Sequence, residues 1–67
     1  MPSDETRRLL RAFGVAVTTY EDKVTAHAAD GEVRAAGDEA RALLREVTAV
    51  LDRLRAAAES LRGGTGP

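Results

Sequence analysis

The single histidine, His27, stands four residues after Lys23 and three before Asp30, and this is the first place where residue types alone could do chemistry. An imidazole between an ammonium and a carboxylate can serve as a general base, a metal ligand or a pH-sensitive contact. A metal site needs more donors than this. Carboxylate bundles place a glutamate three residues before a histidine, where Val24 stands, and no second histidine or cysteine exists to complete a zinc set. His27 therefore reads as a boundary residue at the end of a helix, and no metal is expected. Arg7, Arg8 and Arg11 are the densest basic patch and the candidate contact for an anion or a nucleic-acid phosphate. Asp4, four residues before Arg8, is placed to pair with it. Phe13 and Tyr20 are the only aromatics, and with nothing polar gathered around them they read as packing rather than as a stacking platform. Glu21 and Asp22 fall on a polar helix side. With no glycine-rich phosphate cradle, no Ser/His/Asp set and no spaced pair of buried carboxylates, neither catalysis nor a cofactor is expected.

The element that must position everything else is the stretch 38–62. Ala40, Leu43, Leu44, Val47, Val50, Leu51, Leu54, Ala57, Ala58 and Leu61 recur three and four apart, which gathers them on one side of a 3.6-residue helix. Arg41, Arg45, Glu46, Asp52, Arg53, Arg55, Glu59 and Arg62 take the other side, and Ala, Leu, Arg and Glu are good helix formers. The apolar stripe is wider than a two-in-seven coiled-coil seam, so it suits a bundle and demands more covering surface than one partner helix supplies.

Composition narrows the classes. At 67 residues the chain is expected to be one domain, near the size at which a single core needs help from disulfides, metal or association. Cysteine is absent, which removes disulfides and leaves association as the expected source of stability. With 10 basic and 11 acidic residues the net charge is -1, unlike a nucleic-acid coat protein. No apolar run is long enough to span a bilayer, and Met1–Arg11 is charged where a signal peptide is apolar, so a cytoplasmic protein with no membrane contact is the expectation. Heavy use of Ala and Arg fits a GC-rich, bacterial genome.

Ahead of the central stretch, Ser3 is a suitable N-cap with Asp4 and Glu5 in the first turn. Leu10, Phe13, Val17, Tyr20, Val24 and His27 then repeat in threes and fours, which predicts helix 1 over about 4–29. Gly14 to Thr19 is its weak section, because glycine and the β-branched Val15, Val17, Thr18 and Thr19 could equally form a strand. Asp30 and Gly31 break the pattern, and the residues beyond them are compatible with two hairpins. A tight turn at 30–31 starts helix 2 at about 32 and runs it to 62, leaving Gly37 as an ordinary helical glycine and Leu54 to Leu61 protruding past helix 1. A loop over 30–37 would instead give helices of equal length. The continuous Val33/Ala36/Ala40 spacing favours the tight turn. Residues 63–67, GGTGP, read as a flexible tail.

The expected fold is all-α, an antiparallel two-helix hairpin that dimerises into a four-helix bundle. Its expected function is non-catalytic: a small protein–protein interaction module, such as an adaptor, assembly factor or accessory subunit, acting as a homodimer or with a partner helix. Phe13, Val17, Leu44, Val47, Leu51, Leu54 and Leu61 are the expected association residues. The alternative is a small dimeric DNA-binding regulator or antitoxin-like protein that uses Arg7, Arg8 and Arg11.

Overall fold

A computed structural model describes residues 3–63. Two helices account for nearly all of them: α1 (Asp4–Thr25, 22 residues) and α2 (Asp30–Gly63, 34 residues), packed antiparallel as a hairpin. The start of α1 is set by Ser3, whose Oγ accepts the Thr6 N–H at 3.1 Å while Asp4 and Glu5 sit in the positively polarised first turn. The Gly14–Thr19 section is helical, not extended. Thr18 fits because its Oγ1 donates back to the carbonyls of Val15 at 2.9 Å and Gly14 at 3.1 Å, which satisfies the hydroxyl inside the helix.

The turn differs from both sequence-based versions. Helix 1 ends at Thr25 rather than about 29, and Asp30 and Gly31 belong to the first turn of α2 rather than to the turn about 30–31. The reversal is made by residues 26–29, with His27 in the left-handed conformation at φ 56°. The Ala28 N–H donates to the Lys23 carbonyl at 3.0 Å and the His27 N–H to the Val24 carbonyl at 3.2 Å, the two crossed bonds of a Schellman cap. The Ala29 carbonyl then accepts from Glu32 and Val33, opening α2. Asp30 and Glu32 offer negative charge to that helix start, and Glu32 also ties the two helices together through Lys23 Nζ at 2.9 Å.

Between the helices lie Leu9, Phe13, Ala16 and Tyr20 of α1 against Ala36, Gly37, Ala40, Leu43, Val47 and Val50 of α2, all buried or half-buried. The seam is shallow: Ala16 and Ala40, 8% and 7% exposed, are the buried hydrophobic residues, and no large side chain among the described residues is fully enclosed. Tyr20 meets Gly37, Lys23 meets Glu32, and Ser3 shares a groove with Arg53. With that alignment α2 past Arg53 has no α1 beside it and overhangs by roughly 15 Å at 1.5 Å per residue. Residues 51–62 are exposed throughout. The molecule is correspondingly long, 58 × 20 × 14 Å, with a radius of gyration of 16.7 Å against about 11 Å for a compact chain of this length. The tail expected over 63–67 lies from 64 onward outside the described residues.

Candidate functional site

Grooves run along both long sides of the hairpin. One side is a groove lined by Arg8, Ala12, Val15 and Thr19 of α1 and by Ala36, Glu39 and Leu43 of α2, continuing past Glu5 to Glu46 and Arg53. Its α2 bank is mostly apolar, made by Ala36, Leu43 and Val50, with Glu32, Glu39 and Glu46 recurring seven apart along the outer edge. Residues seven apart nearly superimpose along a helix, so each such column holds one bearing relative to the seam.

The columns on the other flank of each seam must share the opposite side of the hairpin. On α1 that column is Leu10, Val17 and Val24; on α2 it is Gly37, Leu44, Leu51 and Ala58. Phe13, Tyr20, Val47, Leu54 and Leu61 stand beside them at the seam edge. All the large hydrophobics of this side that the seam does not cover face water: Leu10, Val17, Val24, Leu44, Leu51, Leu54 and Leu61, the last 78% exposed. The result is a row of exposed apolar side chains bordered along α2 by Arg34, Arg41, Arg55 and Arg62. At the turn end this side becomes polar: Asp30, Arg34, Asp38 and Arg41 line a shallow cavity of about 300 Å³ with Tyr20, Val33 and Gly37.

Of the residues expected to associate, Val17, Leu44, Leu51, Leu54 and Leu61 are exposed on this face, while Phe13 and Val47 are half-buried between the helices and join it by one edge. Sequence reasoning left out Leu10 and Val24. Their seven-residue spacing from Val17 was the available signal. The basic patch is not a single surface. Arg8 and Arg11 line the opposite groove among Glu5, Glu39 and Glu46, whereas Arg7 is exposed outside it. The Asp4–Arg8 pair allowed by spacing is not formed among the described residues; the ion pairs there include Lys23–Glu32 and, on the overhang, Arg55–Glu59 at 3.3 Å. The Lys23 ammonium, hydrogen-bonded to Glu32, holds that carboxyl below its usual range.

His27 is exposed in the turn, and its backbone conformation rather than its ring is what the fold uses. Among the described residues no cluster of His, Cys, Asp or Glu could hold a metal ion, and no helix is long and apolar enough to cross a membrane. Comparison with protein-family models, with curated proteins and with solved structures finds no match to this chain.

Proposed function

We propose that this chain is a non-catalytic interaction module whose working surface is the Leu10/Val17/Val24–Leu44/Leu51/Leu54 face, covered in use by another pair of helices. The observation that carries this reading is the mismatch between what the hairpin hides and what it shows. Its buried hydrophobic residues among those described are Ala16 and Ala40, whereas Leu10, Val17, Val24, Leu44, Leu51, Leu54 and Leu61 are 42–78% exposed. Burying apolar area is worth roughly 25 cal/mol per Å², and a hairpin with two buried alanines has little other source of stability.

The reading makes this a homodimer or an accessory subunit with a helical partner. Sedimentation and circular dichroism at micromolar concentration test it. The expected result is a species of twice the chain mass whose helicity falls on dilution, and a well-folded monomer of 7.1 kDa would count against it. Phosphate recognition by Arg7, Arg8 and Arg11 is the weaker reading, since Glu5, Glu39 and Glu46 share the groove of two of these arginines and oppose the approach of a polyanion.

A further inference from the structure

We infer that the groove on the side away from the leucine row is a docking site for one helix of a partner protein, amphipathic and unlike on its two flanks: acidic toward Arg8 and Arg11 of α1, basic toward Glu39 and Glu46 of α2. This is a different surface from the working face proposed above, and neither assignment depends on the other.

Charge selects the occupant. Arg8 and Arg11 stand on the α1 bank of the groove, Glu39 and Glu46 on the α2 bank. Opposite signs thus face each other over a floor of Ala12, Val15, Ala16, Ala36 and Leu43, yet among the described residues neither arginine pairs with either glutamate. Glu32, one step along the same column, shows what a contact between the helices looks like, since it reaches Lys23 Nζ at 2.9 Å. At Glu39 and Glu46 the apolar floor lies between the banks instead.

Their own helix does not serve these glutamates. Asp30, Asp38, Asp52 and Glu59 each have an arginine three or four residues away on α2, the spacing at which helical side chains pair. Glu39 and Glu46 have only Ala, Leu and Val at those spacings, and Arg11 has no acid there on α1. A helix laid along the floor meets both needs at once. Its apolar stripe covers Val15, 60% exposed in the hairpin, while its acids reach the arginines and its bases the glutamates.

Because the flanks differ, a given helix fits in one direction only. The pattern stops toward the open end of the hairpin, where Glu5 and Arg53 exchange the signs of the two banks. The site therefore runs from Thr19 to Arg8, roughly 17 Å or about three turns. A helix with one sign on both flanks would meet like charge on one bank, and a nucleic-acid backbone would meet Glu39 and Glu46.

Three stapled helical peptides of about 18 residues, identical in a leucine and alanine stripe, serve as probes. One carries Glu on one flank and Lys on the other, one Glu on both flanks, and one Lys on both. Fluorescence anisotropy against the full-length protein should show the mixed peptide binding about tenfold tighter than either of the others, with the preference shrinking in salt. Val15→Gln should weaken that binding and Leu51→Gln retain it, which locates the peptide in the groove. Glu39→Lys combined with Glu46→Lys makes both banks basic and should move the preference to the all-Glu peptide. Should circular dichroism show that pair of lysines unfolding the chain, Glu39→Gln with Glu46→Gln carries the same test and should abolish the preference. A mixed peptide that binds no better than the others, or a preference indifferent to these substitutions, overturns the assignment. So does strong coupling between Arg8→Gln and Glu46→Gln in unfolding of the protein alone, which would give the charges to the hairpin itself. If the lysine pair changes the sedimentation of the chain without peptide, the occupant is a second copy and the partner helix falls. A chain that stays monomeric yet ranks the peptides as expected keeps this groove and removes only the reading of the leucine row.

Discussion

The ring of Tyr20 lies across the backbone of Gly37. A Cβ added to that glycine would stand 3.0 Å from Tyr20 Cζ, 3.1 Å from Cε1 and 3.2 Å from the phenol oxygen. Rotating the ring about its own long axis does not move Cζ or the oxygen, so a methyl there must push the whole side chain toward the open groove or spread the helices. An ordinary helical glycine replaced by alanine gains about 1 kcal/mol, and Gly14, with nothing within 4 Å of its added Cβ, is such a site. Gly14→Ala should therefore stabilise the protein by about that amount. Gly37→Ala should gain clearly less in the native sequence and recover the full increment in a Tyr20→Ala background. A double-mutant cycle by urea unfolding measures the coupling; equal effects in both backgrounds would show that the ring does not constrain the glycine.

Leu51 and Val15 are equally exposed in a single hairpin, at 59% and 60%. They lie on opposite sides, Leu51 in the row of exposed leucines and Val15 in the groove bordered by Arg8, Arg11 and Glu39. Their substitution by glutamine separates a solitary hairpin from an associated one. Without a partner, both changes should fall within about 0.5 kcal/mol. With the face covered, Leu51→Gln should cost roughly 1.5–3 kcal/mol and shift sedimentation toward the monomer, while Val15→Gln leaves the assembly unchanged. Equal, small effects on the concentration dependence of unfolding would remove the case for that face.

Much of the hairpin was legible in the residues. Three- and four-residue spacing of apolar side chains, Ser3 as cap and the unbroken Val33/Ala36/Ala40 phase predicted two helices with a protruding end, since period and capping are local properties. What escaped depends on pairs distant in sequence. Gly37 looks like any helical glycine until Tyr20 is brought across from α1. The turn escaped for another reason: Asp30 and Gly31 are a strong local stop signal, yet the left-handed position is held by His27, which nothing in its type demands. The apolar face was visible as a stripe, but which columns the seam leaves uncovered became clear only with the two helices in register.

His27 gives that misreading a direct test. At φ 56° a residue with a Cβ is strained and a glycine is not. His27→Gly should stabilise the hairpin by roughly 0.5–1 kcal/mol despite adding freedom to the unfolded chain, whereas His27→Ala should bring no such gain. Thermal unfolding of the three proteins at one concentration reads the difference. A loss of stability with glycine would mean that the imidazole makes a contribution beyond its backbone, and would return attention to its ring.

Acid should loosen the same end of the molecule. Glu32 is held ionised by its hydrogen bond to the Lys23 ammonium and by that charge, so its folded carboxyl titrates below the ordinary value of 4.5. A carboxyl lowered on folding stabilises the folded state above its unfolded value, and that contribution disappears as pH falls through the folded one. Wild type should therefore exceed Glu32→Gln in stability at neutral pH, and the gap should narrow on acidification below about 4.5 and close. Lys23→Met should return the carboxyl toward its ordinary value and remove this part of the pH dependence while leaving the glutamate at the start of α2. Urea midpoints measured across the acid range in all three proteins test the link. A gap between wild type and Glu32→Gln that stays constant through acid would assign the stabilisation to packing of the side chain rather than to the charge that bridges the turn.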